Sequence, residues 1–205
     1  YNFLDSRPED KPFALLLNFN VPHGAGTRSM KLREGDLPLY RTAYRDRVEE
    51  IKLPSTYVAE KDMVTPKIPR SVYSGEYIEQ YHYVKTPEDM IERTIRTMQT
   101  ITGIDKLLGK LLKKLEEQGV ADNTIIVFTS DHGLLHGEHG LGGKVLLYEP
   151  SIRIPLIVYD PRVNIAVTRK ELVALLDIAP TLLELTGLPV PREVQGKSLK
   201  PLIQG

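Results

Sequence analysis

The amino-acid sequence predicts an α/β fold, with a mostly parallel sheet flanked by helices. Two observations predict it. Apolar runs of strand length recur at Phe13–Phe19, Thr124–Thr129 and Leu156–Tyr159. Such runs, bounded by turn residues, read as strands buried on both faces. One long helical pattern, from Thr86 to Gln118, lies between the first and second of them. Strands alternating with helices imply parallel pairing through crossovers.

Each element follows from its residues. Tyr1–Leu4 reads as the end of a helix entering a polar turn, Asp5–Lys11. Phe13–Phe19 follows Pro12, is too short for a typical helix, and stops at the turn Asn20-Val21-Pro22-His23-Gly24. Residues 24–86 show little periodicity. They hold seven of the ten tyrosines, and Pro38, Pro54, Pro66 and Pro69 break any long element. A loop insertion of this length is either functional or disordered, and the scattered tyrosines favour an ordered surface. Thr86-Pro87-Glu88-Asp89 starts a helix, with threonine as N-cap, proline at the first position and acids in the first turn. Leu107, Leu108, Leu111, Leu112 and Leu115 form its apolar face, and lysines fill most of the rest. Gly103 marks a bend or break, and Gly119 a C-cap. After the strands at 124–129 and 156–159, Glu171–Leu176 reads as one more strand. Asp177–Thr186 reads as a helix with Pro180 in its first turn and Gly187 as its stop. Residues 195–202 read as a turn and a short helix. Residues 1–160 thus form the main sheet with its 24–86 insertion, and 161–205 a C-terminal strand and helix segment.

Bulk composition narrows the function classes. The chain has 205 residues, 41% of them hydrophobic, enough to build a core. Lys+Arg and Asp+Glu are both 27, which gives no sign of a nucleic-acid or membrane-surface partner. There are no cysteines, which excludes disulfides, zinc–thiolate sites and thiol nucleophiles. No apolar run reaches the length of a membrane span, and no signal peptide is visible.

The chemistry-bearing residues cluster after the 124–129 strand. Asp131 and His132 stand at its carboxyl end, where parallel α/β sheets bind ligands. A carboxylate is a hard oxygen ligand for Ca²⁺ or Mg²⁺, and a neighbouring imidazole adds nitrogen. The alternative is a turn-capping aspartate beside an ordinary loop histidine. His136 and His139 read better as residues shaping the glycine-rich loop than as further ligands. Lys144 offers a cation for a sulfate or phosphate oxygen, or is a solvated surface lysine. His23, at the end of the 13–19 run, either faces the same crevice or is structural. Arg153 reads as a buried partner for Glu149, and Tyr148-Glu149 as scaffold. The cations of 28–47 are offset by Glu34, Asp36, Asp46, Glu49 and Glu50, which makes a mixed-charge surface.

Four stretches together resemble the sulfatase family of the alkaline-phosphatase-like superfamily. They are Lys11 to His23, Ala121 to Gly133 (ending Asp-His-Gly), Gly137-Glu138-His139-Gly140 to Lys144, and Tyr148 to Ile157. Leu176 to Leu183 and Gln195 to Leu199 also fit, so the likeness spans nearly everything outside 25–85. The resemblance implies that Asp131 and His132 bind a divalent cation, usually Ca²⁺ with Mg²⁺ as the alternative. It implies that Lys144 contacts the sulfate and its leaving oxygen, and that His23 hydrogen-bonds the ester bridge and assists departure. The implied substrate is a sulfate ester, with a sulfated sugar favoured by the Gly-Glu-His-Gly form. The implied location is periplasmic or secreted. Sulfatases take their formylglycine from Cys/Ser-x-Pro-x-Arg, and no such motif is present. The nearest string, Lys67-Ile68-Pro69-Arg70, has no nucleophile precursor, and the paired-aspartate strand of the metal shell is also missing. The expectation is therefore a sulfatase fold incomplete at its N-terminus, inactive alone, with a Cys/Ser-x-Pro-x-Arg element and an Asp-Asp pair upstream. The rival expectations are a phosphonate or phosphodiester hydrolase of the same superfamily, and a noncatalytic binding or structural segment.

Overall fold

A computed structural model of the chain describes residues 2–23, 34–62, 85–144 and 146–204. In chain order the elements are α1 (Asn2–Ser6), α2 (Pro38–Thr42), α3 (Pro87–Glu117), β1 (Ile126–Thr129), β2 (Leu135–His136), β3 (Gly142–Gly143), α4 (Glu149–Ile152), β4 (Leu156–Tyr159), α5 (Ile178–Leu185) and α6 (Lys200–Gln204). Short 3₁₀ turns lie between them.

The long helix is the spine. Thr86 caps it: the Asp89 backbone N–H donates to Thr86 Oγ1 at 3.1 Å, and Pro87 occupies the first position. That satisfies one of the donors a helix start leaves open. Its N-terminal two-thirds is buried along Met90, Ile95, Gln99, Gly103 and Ile104. The 34–50 segment covers that side. Arg96 pairs with Asp36 at 2.7 Å, Arg45 forks onto Glu92, and Tyr44 Oη meets Thr102 Oγ1 at 2.7 Å. Gly103 does not break the helix. Its role is close approach, since a Cβ there would meet Tyr40 Oη at 2.3 Å. The leucine face expected further along is only partly covered: Leu115 is buried, but Leu107 and Leu112 are exposed. At that end α1 docks, and Gln118 Nε2 donates to Leu4 O at 2.9 Å.

Two expectations about strands are corrected, and the pairs described are antiparallel: β1 joins β4 with Ile126 opposite Tyr159, and β2 joins β3 with Leu135 opposite Gly143. The chain returns from β1 to β4 through the loop at 130–155, without the crossover helix a parallel pair needs. Phe13–Phe19 forms no strand, because no described strand lends it ladder bonds. Its first ring packs edge-on to Phe3 and under Arg7, while Leu16 is 83% exposed. An apolar run reports which residues need cover, not which neighbour supplies it. Glu171–Leu176 is also not a strand. It is a loop with Leu172 fully exposed, ending in the 3₁₀ turn Leu175–Asp177. There the Asp177 carboxylate accepts from the backbone N–H groups of Ala174 and Lys197 at 2.9 and 2.8 Å. Those bonds favour a tight turn over an extended ladder. They hold its pKa below the ordinary carboxylate value.

The same contact explains the C-terminal motif blocks. A Cβ at Gly196 would lie 1.9 Å from Leu176 O, so only glycine lets the 195–199 turn sit against the start of α5. Thr181 Oγ1 then accepts the Leu199 N–H at 2.7 Å, which ties α6 to α5.

Candidate active site

β1 ends at Thr129, and the next residues turn sharply. Ser130 Oγ donates to the His132 carbonyl at 2.9 Å, and the His132 N–H donates to Asp131 Oδ1 at 2.9 Å. Gly133 then passes against α4. Its N–H donates to Ser151 O at 2.8 Å, and a Cβ there would lie 2.0 Å from Pro150 O. Glycine is required at this point by backbone contact alone. The turn presents Asp131 with its side chain 81% exposed and His132 with 28% exposed.

The glycine-rich loop brings in the cation. β2 and β3 close a small ladder, and Lys144 follows β3 directly. Its ammonium donates to His132 Nε2 at 2.6 Å. A lysine ammonium has no lone pair, so Nε2 must be the acceptor. The other ring nitrogen lies 2.9 Å from Gly133 O, a group that can only accept, so Nδ1 carries the proton. The tautomer is thereby fixed. Asp131 Oδ2 stands 3.2 Å from the same Nε2. Asp131 Oδ2 and the Nε2 lone pair therefore converge with no proton of the ring between them, and in this structure the Lys144 ammonium occupies that lone pair, where a cation would take its place. Sharing a cation is what such a pair suits. A ring whose far N–H is held by a backbone carbonyl is the usual arrangement of a metal-ligating histidine. The fit is partial, since no group of three ligating side chains exists among the described residues, and Ca²⁺ takes six to eight donors.

Asp131, His132 and Lys144 lie together in the structure. His23 is exposed, and no hydrogen bond, ion pair or ring contact among the described residues ties it to the three. A family model for sulfatases matches residues 1–188. The chain belongs to the sulfatase family. Arylsulfatase K of Xenopus laevis is 31% identical over 94% of this chain and 35% of its own length. An N-acetylglucosamine-6-O-sulfatase of Bacteroides thetaiotaomicron is 42% identical over 52% of this chain and 19% of its own. Among solved structures, yidJ of Bacteroides fragilis aligns with a TM-score of 0.68 at 28% identity, covering 99% of this chain and 38% of that one. A protein solved with its substrate D-glucosamine-2-N,6-O-disulfate aligns with a TM-score of 0.58 at 25% identity, covering 100% and 50%. This sulfatase chain therefore spans about a third of the length of the arylsulfatase K it matches.

His136 and His139, which the sequence favours as residues shaping the glycine-rich loop, make their contacts within or beside it. The His136 N–H is bonded to Glu138 Oε2, and burial pushes the His136 ring below its ordinary pKa. The His139 ring lies on Tyr148 with centroids 5.2 Å apart. Arg153 departs from expectation: it is exposed, and it reaches Glu149 through its backbone N–H at 2.8 Å, not its guanidinium. Sequence reasoning missed the 56–58 segment entirely. Val58 N–H donates to Gly137 O at 3.3 Å, His139 N–H donates to Thr56 O at 2.7 Å, and Tyr57 pairs with Glu138 as an isolated bridge. The one available signal was Gly137, where a Cβ would meet the Tyr57 ring at 2.4 Å. The string at 67–70 lies outside the described residues.

Proposed function

We propose that this chain is the cation- and sulfate-binding part of a sulfuric ester hydrolase acting on sulfated carbohydrate. The observation that carries the reading is the meeting of Asp131 Oδ2, His132 Nε2 and Lys144 Nζ at one point on a sulfatase-family chain. The names of relatives support the sugar: one acts at the 6-O-sulfate of N-acetylglucosamine, and another was solved with a glucosamine disulfate. A relative named as an extracellular sulfatase supports a location outside the cytoplasm. No described helix is long and apolar enough to cross a membrane.

Asp131 and His132 would hold the divalent cation, Ca²⁺ before Mg²⁺, which supplies positive charge to a sulfuryl oxygen. Lys144 places its ammonium where negative charge grows on the sulfuryl group and on the departing oxygen. The Nδ1–H bond to Gly133 stops the ring turning away and leaves Nε2, which meets the Lys144 ammonium in this structure, as the atom that would face the cation. His23 is assigned proton delivery to the leaving alkoxide, a role suited to imidazole. The nucleophile is a formylglycine outside these residues, because the chain has no Cys/Ser-x-Pro-x-Arg string. We read 1–160 as the main-sheet part and 161–205 as the C-terminal segment, with the antiparallel β1–β4 pair at the edge of a mostly parallel sheet.

A second reading is favoured by one observation. A phosphonate monoester hydrolase from Silicibacter pomeroyi aligns with a TM-score of 0.56 at 30% identity over 59% of this chain. Parallel rate measurements on p-nitrophenyl sulfate and p-nitrophenyl phenylphosphonate with the full-length protein decide. Faster turnover of the sulfate upholds the sulfatase reading, and faster turnover of the phosphonate replaces it.

A further inference from the structure

Lys144 sits on a loop whose base is fastened at one residue. His139 adopts φ 57°, a left-handed backbone that non-glycine residues rarely take. Gly137, Gly140 and Gly143 around it also have positive φ, at 91°, 72° and 77°. Glycine adopts such angles freely; histidine does so only when surroundings impose it. Two contacts impose it here. The His139 N–H donates to Thr56 O at 2.7 Å, and its ring packs on Tyr148 at 5.2 Å with the planes 31° apart. His139 and Tyr148 bracket residues 140–147, and Lys144 lies between them. Tyr57 braces the same turn against Gly137.

We propose that His139 is a positioning residue: pinned to Thr56 and stacked on Tyr148, it closes the base of the 140–147 loop and so fixes where the Lys144 ammonium stands. Of these two contacts, Thr56 belongs to the 24–86 insertion, so that insertion helps set where the Lys144 ammonium stands. The proposal rests on the sulfatase reading for its kinetic consequence, but not for its structural one. Fastening both ends of a loop removes conformations it would otherwise sample. Losing the fastening lets Lys144 wander from His132.

The test is a double-mutant cycle in the full-length protein, with p-nitrophenyl sulfate as substrate and hydrogen exchange of the 140–147 amides as a second readout. His139→Ala should lower kcat by about tenfold or more with KM changed less than about threefold. The pair H139A/K144A should be no slower than K144A alone, because once the lysine is gone its placement no longer matters. Tyr148→Ala, which leaves the His139 backbone untouched, should behave like H139A, and Tyr148→Phe should restore the wild-type rate. Exchange across 140–147 should quicken in H139A and Y148A while α3 keeps its protection. Multiplicative losses in the cycle, or exchange at 140–147 unchanged in both variants, would overturn the proposal. Should wild type fail to turn over the sulfate ester, the sulfatase reading falls, and the exchange comparison alone decides the clamp.

Discussion

Lys144 Nζ stands 2.6 Å from His132 Nε2, although the two residues leave different turns twelve positions apart. One residue of that pair anchors a metal shell in the proposed site and the other grounds the substrate's charge. Their contact couples the two roles in the proposed site, because the Nε2 lone pair that would face a cation is the one that meets the ammonium.

Removing the lysine should therefore cost rate more than binding. Lys144→Ala is expected to lower kcat by about 100-fold or more, in the range seen when one oxyanion donor is lost. Lys144→Arg should recover little, since a planar fork cannot occupy the place of a point charge. Steady-state kinetics on p-nitrophenyl sulfate test this, and a KM effect with kcat intact would count against it.

Calcium should stabilise the full-length protein through Asp131. At about 100 times its dissociation constant, a cation bound only by the folded state adds about 2.7 kcal/mol. Asp131→Ala should abolish most of the calcium-dependent rise in melting temperature. A variant with an undiminished rise would place the cation elsewhere.

Gly133 should tolerate no side chain. In Gly133→Ala the new Cβ meets Pro150 O at 2.0 Å, a backbone atom that cannot swing aside. We expect a loss of about 1–3 kcal/mol in chemical denaturation together with a fall in kcat, because the Asp131–His132 turn moves with Gly133. Wild-type stability in this variant would show that the turn is not packed against α4.

His136 should give the protein an acid-sensitive slope. Burial is the main cause of its lowered pKa; Glu138 opposes the shift and Arg93 adds to it. The unfolded chain then binds the proton first, near pH 6.5. The contribution of His136 is fully present above that pH. It is lost as pH falls toward the folded value, and it levels off below it. His136→Gln should remove that part of the slope from denaturation curves collected between about pH 7 and 5. Equal slopes for variant and wild type would be the contrary result.

The helix start is the simplest case. Thr86→Ala removes the acceptor for the Asp89 N–H and should cost about 1 kcal/mol, with Thr86→Ser close to neutral. Urea midpoints of the three proteins measure it.

What the sequence determined by itself is local or carried by motif. The cap at Thr86, the helix to Glu117 and the strands around 126–129 and 156–159 follow from short-range preferences that few neighbours can override. The ordered motifs were enough to place the chain in its family and to single out Asp131, His132 and Lys144. Tertiary structure decided the rest, because each remaining question concerned partners distant in sequence. Whether β1 and β4 run antiparallel depends on the path of 130–155, and whether Phe13–Phe19 becomes a strand depends on a neighbour. The single tautomer of His132 required both Gly133 O and Lys144 Nζ in place. The left-handed turn at His139 required Thr56, more than eighty residues earlier. Periodicity encodes which residues seek burial, while only packing chooses what they are buried against.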